Sequence, residues 1–476
     1  MDKELPPAER LIGAAWLGLA AALAAVTALY FVLFWKLAFV DMPYNECGSD
    51  DCPRGMGWLI IFTPLLWVAA WFVWSRVKDE KGIRTSRPAR ALALVAALAV
   101  LWPGWLAFEW MRGPQMDLSG WQEPVRPTSA KPLGVWPSER SGLLVRARTD
   151  GLIAYNGEGR KGWRLPAPDG TLVCALSRTA PSDIGALAYG GPGSACGTKL
   201  VAVDLAEGRT LWTKSAPTAE RVPPAVVAGT AVIVQEDALV GLDVREGTER
   251  WRVKRAPRCS IEALDGARER VLYVEQCERA MRLTAVDART GAQAWQSPLP
   301  PTAGLEVVRV LSADPIAIRN TESVLLFDET GRQRGSVPVS GPEEDLLPAP
   351  APWVRGDLLI TPVQRGKKKQ SVSAYSLTDG RRLWNRSLDG GNVLGLGPGR
   401  GNEVTVVTSK YPWTHLWRLD AGTGRPRQES AILREVPLGQ RFEVFPGPPG
   451  SYVFVNMDED GGELPPTFDV DPVRGW

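Results

Sequence analysis

Few residues in this chain are of a type and spacing that could do chemistry. A single His, His415, is present. A Ser-His-Asp relay would have to use it, yet it sits between Trp413 and Trp417 in a strand-like run, where a structural role is expected. Asn456, Asp458, Asp460 and Gly461 resemble the opening of a calcium loop. The closing position falls on Thr467 where a bidentate Glu is needed, so a solvated acidic turn is expected instead. Lys367, Lys368 and Lys369 form a basic cluster between two strand-like runs. It reads as an exposed hairpin tip, with anion binding as the alternative. No P-loop and no dinucleotide fingerprint occur. The sequence therefore offers no catalytic, cofactor-binding or metal-binding residue.

Six cysteines fall into three near-neighbour pairs: Cys47 with Cys52, Cys174 with Cys196, and Cys259 with Cys277. Such pairs suit disulfides in an oxidising compartment. A metal or redox site at Cys47 and Cys52 is the competing reading. Its spacing is not C-x-x-C, and no His is nearby.

Charge is balanced, with 55 Lys+Arg against 53 Asp+Glu and a net charge of +2. No global pull toward nucleic acid results. The apolar residues are unevenly placed. Leu11 to Trp35, Gly55 to Ser75 and Ala91 to Phe108 lack charged side chains. A bilayer core about 30 Å thick needs roughly 20 apolar helical residues. Three transmembrane helices are therefore expected, about residues 11–35, 55–75 and 91–110, within a membrane region 11–112. Buried soluble helices are the alternative for each. A cleaved signal is the alternative for the first, although its apolar run continues through Phe34 and Trp35. The connection from Arg76 to Arg90 is basic and the one holding Asp41, Glu46, Asp50 and Asp51 is acidic. Positive-inside bias then keeps a cytoplasmic N-terminal tail, residues 1–10, and places everything after Arg112 outside the cytoplasm. This is a multi-pass plasma-membrane protein in expectation, with the lipid bilayer as one partner. Residues 113–141 carry five prolines and read as a stiff tether, with packing of part of it, such as Val135 and Trp136, onto the first blade as the alternative.

From about Gly142 the chain turns to short strand-like runs separated by Gly- and Asp-containing turns. One unit recurs. Alternating apolar residues lead to Asp, then a turn, Gly, and Trp four residues after the Gly. Asp204, Gly208 and Trp212 form one copy, Asp243, Gly247 and Trp251 a second, and Asp287, Gly291 and Trp295 a third. Ser376 stands for Asp in the copy with Gly380 and Trp384. Asp328 with Gly331, and Asp420 with Gly424, lack the Trp. Tyr155 and Asn156, leading to Trp163, mark a first copy. A period of about 40–45 residues is the size of a four-stranded propeller blade. Asp can bond turn amides, Gly supplies positive φ, and Trp on the outermost strand can fill the gap to a neighbouring blade.

The repeat D-x-x-x-G-x-x-x-W resembles that of the quinoprotein-alcohol-dehydrogenase-like, or PQQ-like, β-propeller family, over residues 142–470, with 471–476 as a tail. The resemblance implies a mainly β fold with seven or eight four-stranded antiparallel blades after the three helices. The family's quinone-dependent dehydrogenases use a vicinal Cys-Cys disulfide and calcium-binding acidic residues. Neither a Cys-Cys dipeptide nor a C-x-x-C-H haem motif occurs here, so PQQ and calcium are not expected. The expected function is a non-enzymatic binding or scaffolding module for a protein, an envelope polymer or a small ligand. A PQQ-dependent dehydrogenase, or a sensor acting through a cytoplasmic partner, are the alternatives.

Overall fold

The computed structural model describes residues 114–472 apart from 126–129, 157–160, 192–195, 216–221, 279, 301–307, 367–368, 389–390, 411–412, 429, 435 and 459–463, and scattered helical positions between 18 and 106. The chain divides into two compact units, Met1–Gln115 and Met116–Trp476. Among the described residues no helix is long and apolar enough to cross a membrane. Most of the three segments expected to span it, and Cys47 and Cys52 with them, lie outside the described residues.

The second unit is built of antiparallel strands in seven sheets. Six sheets make one blade each and the eight-stranded seventh makes two, giving eight blades, each of four strands except the sixth, whose strand B also pairs with the short Trp353–Arg355. Blades 1 to 7 follow the chain as residues 132–166, 172–215, 225–254, 259–299, 309–338, 345–386 and 392–434. Within each, strands A to D run from innermost to outermost. Blade 8 takes strands A to C from residues 442–472, and its strand D is Gln115–Gln122 from the start of the unit. The first and last strands of the ring are thus paired, with Leu118 opposite Val470.

This corrects two boundaries. Residues 113–141, read as a tether, contain strand Gln115–Gln122 of blade 8 and strand Pro132–Pro137 of blade 1. Their prolines suggested a linker, but Pro is tolerated at strand ends and on edge strands. The last strand, Thr467–Pro472, also runs into the expected tail.

A single blade cannot bury both of its faces, and the packing shows how the ring solves this. Separate apolar clusters fill the gaps between successive blades. Trp136, Val145, Leu187 and Val203 join blades 1 and 2. Ala186 and Ala231 join blades 2 and 3. Val232 and Val271 join blades 3 and 4, and Leu283 and Ile318 join 4 and 5. Leu326 and Leu359 join 5 and 6, Ala374 and Val406 join 6 and 7, and Leu416 and Phe454 join 7 and 8. Strands B and C alternate their side chains into the two flanking gaps, which is why they read as near-continuous apolar runs.

The repeat residues set the spacing of these gaps. The carboxylate of Asp243 accepts the amides of Arg245 and Glu246 at 2.8 and 2.9 Å. Gly247, with φ +71°, closes the turn by donating its N–H to the Asp243 carbonyl at 2.7 Å. Asp204 and Asp287 hold their turns the same way. Each motif Trp lies on strand D and docks on the next blade's turn. The Trp163, Trp212, Trp251, Trp295 and Trp384 indoles donate to the carbonyls of Leu205, Val244, Ala288, Glu329 and Ala421 at 2.7–3.1 Å. In every case the acceptor follows the motif Asp, or its Asp420 equivalent, in sequence. The same rings lie over Gly208, Gly247, Gly291, Gly331 and Gly424, where a Cβ would approach ring atoms to 2.3–2.7 Å. Positive φ and the missing Cβ are therefore both required there.

Three junctions lack this device. Between blades 5 and 6 the Trp position is Gly335, and the backbones meet directly: a Cβ on it would lie 2.7 Å from the Asp379 carbonyl. Between blades 7 and 8, strand Ala431–Arg434 pairs with Gln115–Gln122. Between blades 8 and 1, Trp121 packs on Tyr155 with ring centres 5.4 Å apart. Beneath them Arg146, 2% exposed, pairs with Glu123 at 2.9 Å and donates to Thr467 at 3.1 Å.

Candidate functional site

Antiparallel strands put the A–B hairpins and the motif turns on one face of the ring. The B–C loops and the links between blades lie on the other. Strand A of each blade is paired on one side only, so its free edge faces the axis.

The turn face is laced by arginines that reach from one blade to another. Arg140 in blade 1 bonds Asp204 of blade 2 at 2.7 Å and Asp183 at 3.3 Å. Arg268 in blade 4 pairs with Asp314 of blade 5 at 2.6 Å. Arg355 in blade 6 donates to the carbonyls of Gly401 and Glu403 in blade 7. Arg400 in blade 7 donates to those of Gly447 and Pro448 in blade 8. Arg178 reaches farthest. From blade 2 it bonds Asp265 of blade 4 at 3.2 Å and the Leu311 carbonyl of blade 5 at 2.6 Å, so it passes across the axis. Burial pushes the Asp265 carboxyl up, and the Arg178 guanidinium pulls against that. Burial would likewise raise Asp204, but Arg140 and two turn amides hold it below the usual carboxylate range.

Three A–B hairpins also carry non-glycine residues in the left-handed region: Ser182 at φ 55°, Ala228 at 47° and Arg268 at 54°. They come from three consecutive blades and line one cavity of about 500 Å³. Each such residue costs on the order of 1 kcal/mol, and strain of this kind gathers where loops are shaped for binding.

A second cavity, of about 440 Å³, lies along the axis between blades 8, 1, 2 and 3. Leu133, Val135, Leu176 and Pro223 wall it, with Glu443 and Arg178 as its charged members. Desolvation pushes the Glu443 carboxyl up to about 7.

Cys174 and Cys196 are bonded, as are Cys259 and Cys277. Both bonds lie at the end of the blade away from the motif turns, and Cys259 sits directly opposite Cys277 across strands A and B of blade 4. Glu275 lies close enough to this pair to complete a three-ligand metal set. The two sulfurs are bonded to each other, so no thiolate ligand is on offer.

The sequence singled out the Asp, Gly and Trp of the repeat, and these sit at blade junctions, where Asp287 and Asp328 also line cavities between neighbouring turns. His415 lies in strand Trp413–Asp420, its Nδ1 3.3 Å from the Ser430 hydroxyl and its ring beside Trp417. Asn456 and Asp458 bond the backbone of Gly439, Gln440 and Arg441. They brace a turn. Asp460, Gly461, Lys367 and Lys368 lie outside the described residues. Arg140, Arg178, Asp265 and Glu443 carry no motif and were not legible. A lone acid inside the apolar run Phe442–Phe445 is the one signal that marks Glu443.

A quinone cofactor of the kind implied by the repeat would bring carboxylates to the axis. There it would face the Glu443 carboxyl, while Arg178 is already committed to Asp265 and to strand carbonyls. The axial residues do not fit it.

Residues 196–430 match the model of a family described as outer membrane protein assembly factor BamB. Among solved structures, BamB from Moraxella catarrhalis is similar at 16% identity and a TM-score of 0.46, covering 74% of this chain and 99% of that one. A quinohemoprotein alcohol dehydrogenase from Pseudomonas putida HK5 is similar at 10% identity and a TM-score of 0.41, covering 75% of each chain. No curated protein matches the sequence. On the family match over residues 196–430 and its own docked repeat, the chain carries a PQQ-like β-propeller.

Proposed function

We propose that this protein is a non-enzymatic scaffold whose turn face receives a protein partner. The observation that carries the reading is the 500 Å³ cavity on that face, built from three strained hairpins of consecutive blades. The arginine links between A–B hairpins hold those loops in register, so a partner meets a preformed surface and loses less ordering entropy on binding. The matched family is named for a protein assembly factor, which suits the same role. The apolar stretches within residues 11–112 would hold the propeller at a membrane, on its outer side, where the two disulfides are stable.

A photo-crosslinking residue at Arg245, exposed on the turn face, tests this against one at Arg282, exposed toward the other face. The expected result is one discrete adduct from position 245 in intact cells and none from 282. Equal labelling from both positions, or none from either, overturns the assignment.

A further inference from the structure

The axial cavity raises a separate question. Of its polar lining side chains, three are already committed. Ser177 donates to the Thr179 carbonyl and accepts the Ala186 amide. Cys174 is in a disulfide. Arg178 is bound to Asp265, Val310 and Leu311. Glu443 has no hydrogen-bond or ion-pair partner among the described residues, and it sits in strand Phe442–Pro446 on the innermost edge of blade 8. Burial alone accounts for its raised pKa, and no cation offsets it.

Two further features narrow what could complete this carboxylate. The walls from Leu133, Val135, Ala175, Leu176 and Pro223 are apolar. Strands Pro132–Pro137 and Leu172–Leu176 present free edges here, each lacking a partner on its axial side. Edge carbonyls accept hydrogen bonds, as a carboxylate does.

The geometry points to a binding site for a primary alkylammonium group, with Glu443 as counter-ion and the apolar walls of blades 1 and 2 around the alkyl chain. Three N–H donors match one carboxylate and the neighbouring edge carbonyls. A quaternary ammonium has no donors to offer and binds less well. A cavity of about 440 Å³ holds a short chain such as a butyl group. The ammonium belongs either to a small free amine or to a lysine side chain. The site borders the A–B hairpin that carries Ser177 and Arg178, but it shares no lining residue with the three-hairpin cavity of the turn face.

Calorimetric titration of the full-length protein with n-butylamine, Nα-acetyl-lysine amide, tetramethylammonium and 1-butanol tests the proposal at pH 8. The two primary amines should bind and the other two should not. Tighter binding of butylamine identifies a free amine as the source, and tighter binding of the lysine amide identifies a side chain. Glu443→Gln should weaken amine binding about ten- to a hundredfold, the scale of one charge-assisted hydrogen bond. Ala175→Leu fills the cavity without touching the carboxyl and should weaken it similarly, with far-ultraviolet circular dichroism unchanged in both variants. Amine affinity that survives either substitution, or absence of amine binding by the unaltered protein, overturns the site.

Discussion

Replacing Trp251 is the sharpest probe of how the blades are held together. Its ring is 7% exposed, lies over Gly291 of the next blade and backs onto Gly241 of its own. Its N–H reaches the Ala288 carbonyl at 2.9 Å within a buried contact. Trp251→Ala removes that area and leaves two glycines that cannot fill the space, so a loss of about 3–5 kcal/mol is expected. Trp251→Phe keeps most of the area and forfeits the hydrogen bond, so about 1–2 kcal/mol is expected. Trp295 makes the same bond to Glu329 in an exposed setting, and Trp295→Ala should cost about half as much as Trp251→Ala. Urea unfolding followed by far-ultraviolet circular dichroism gives all three values. Equal costs for the two alanine variants, or a cost below about 1 kcal/mol for Trp251→Ala, would refute docking as the source of cohesion.

Other outcomes follow from particular groups. Glu443 has a folded pKa of about 7, above its unfolded value near 4.5, so the folded state binds its proton more tightly. Stability from this group is complete below about pH 4.5 and is lost as pH rises through 7. Glu443→Gln should match the parent near pH 4.5 and exceed it by up to about 3 kcal/mol at pH 8, and a pH-independent difference contradicts this. Arg146→Met should cost about 3–5 kcal/mol because it strands Glu123, and adding Glu123→Leu should recover most of it; a double variant no better than the single one argues against the buried pair. Opening the Cys174–Cys196 bond by Cys→Ser at both positions should cost about 2–3 kcal/mol for its 22-residue separation, read from urea midpoints. Gly291→Ala forces a Cβ to within 2.7 Å of the Trp251 ring at φ +72°, and should be destabilising by several times the cost of Gly142→Ala, whose Cβ meets nothing.

The repeat was legible because its working parts are local in sequence. Asp243, the amides it accepts and Gly247 lie within five positions, so the turn can be read without knowing what it packs against. Trp251 stands at a fixed offset and announces the blade that follows. The junctions built otherwise gave no such signal. Gly335 replaces the Trp by letting two backbones touch, which a pattern of apolar residues does not record. Strand Gln115–Gln122 belongs to the last blade but lies at the start of the unit, separated from its partners by nearly the whole propeller, and so it passed for a tether. The axial residues were hidden for the same reason. Arg178 reaches Asp265, and shares a cavity with Glu443, only because the ring curves strands from distant blades toward one another. No spacing along the chain encodes that.

The turn face and the axial cavity both depend on the ring being closed by strand Gln115–Gln122. Asp117 and Asp471 stand opposite each other across that closure. In a full-length Asp117→Cys/Asp471→Cys variant, mild oxidation should join the two positions, detectable as one cross-linked peptide by mass spectrometry. It should do so in the folded protein and not in urea. A folded protein in which these cysteines stay open, or pair no better than in urea, contradicts the closed eight-bladed ring.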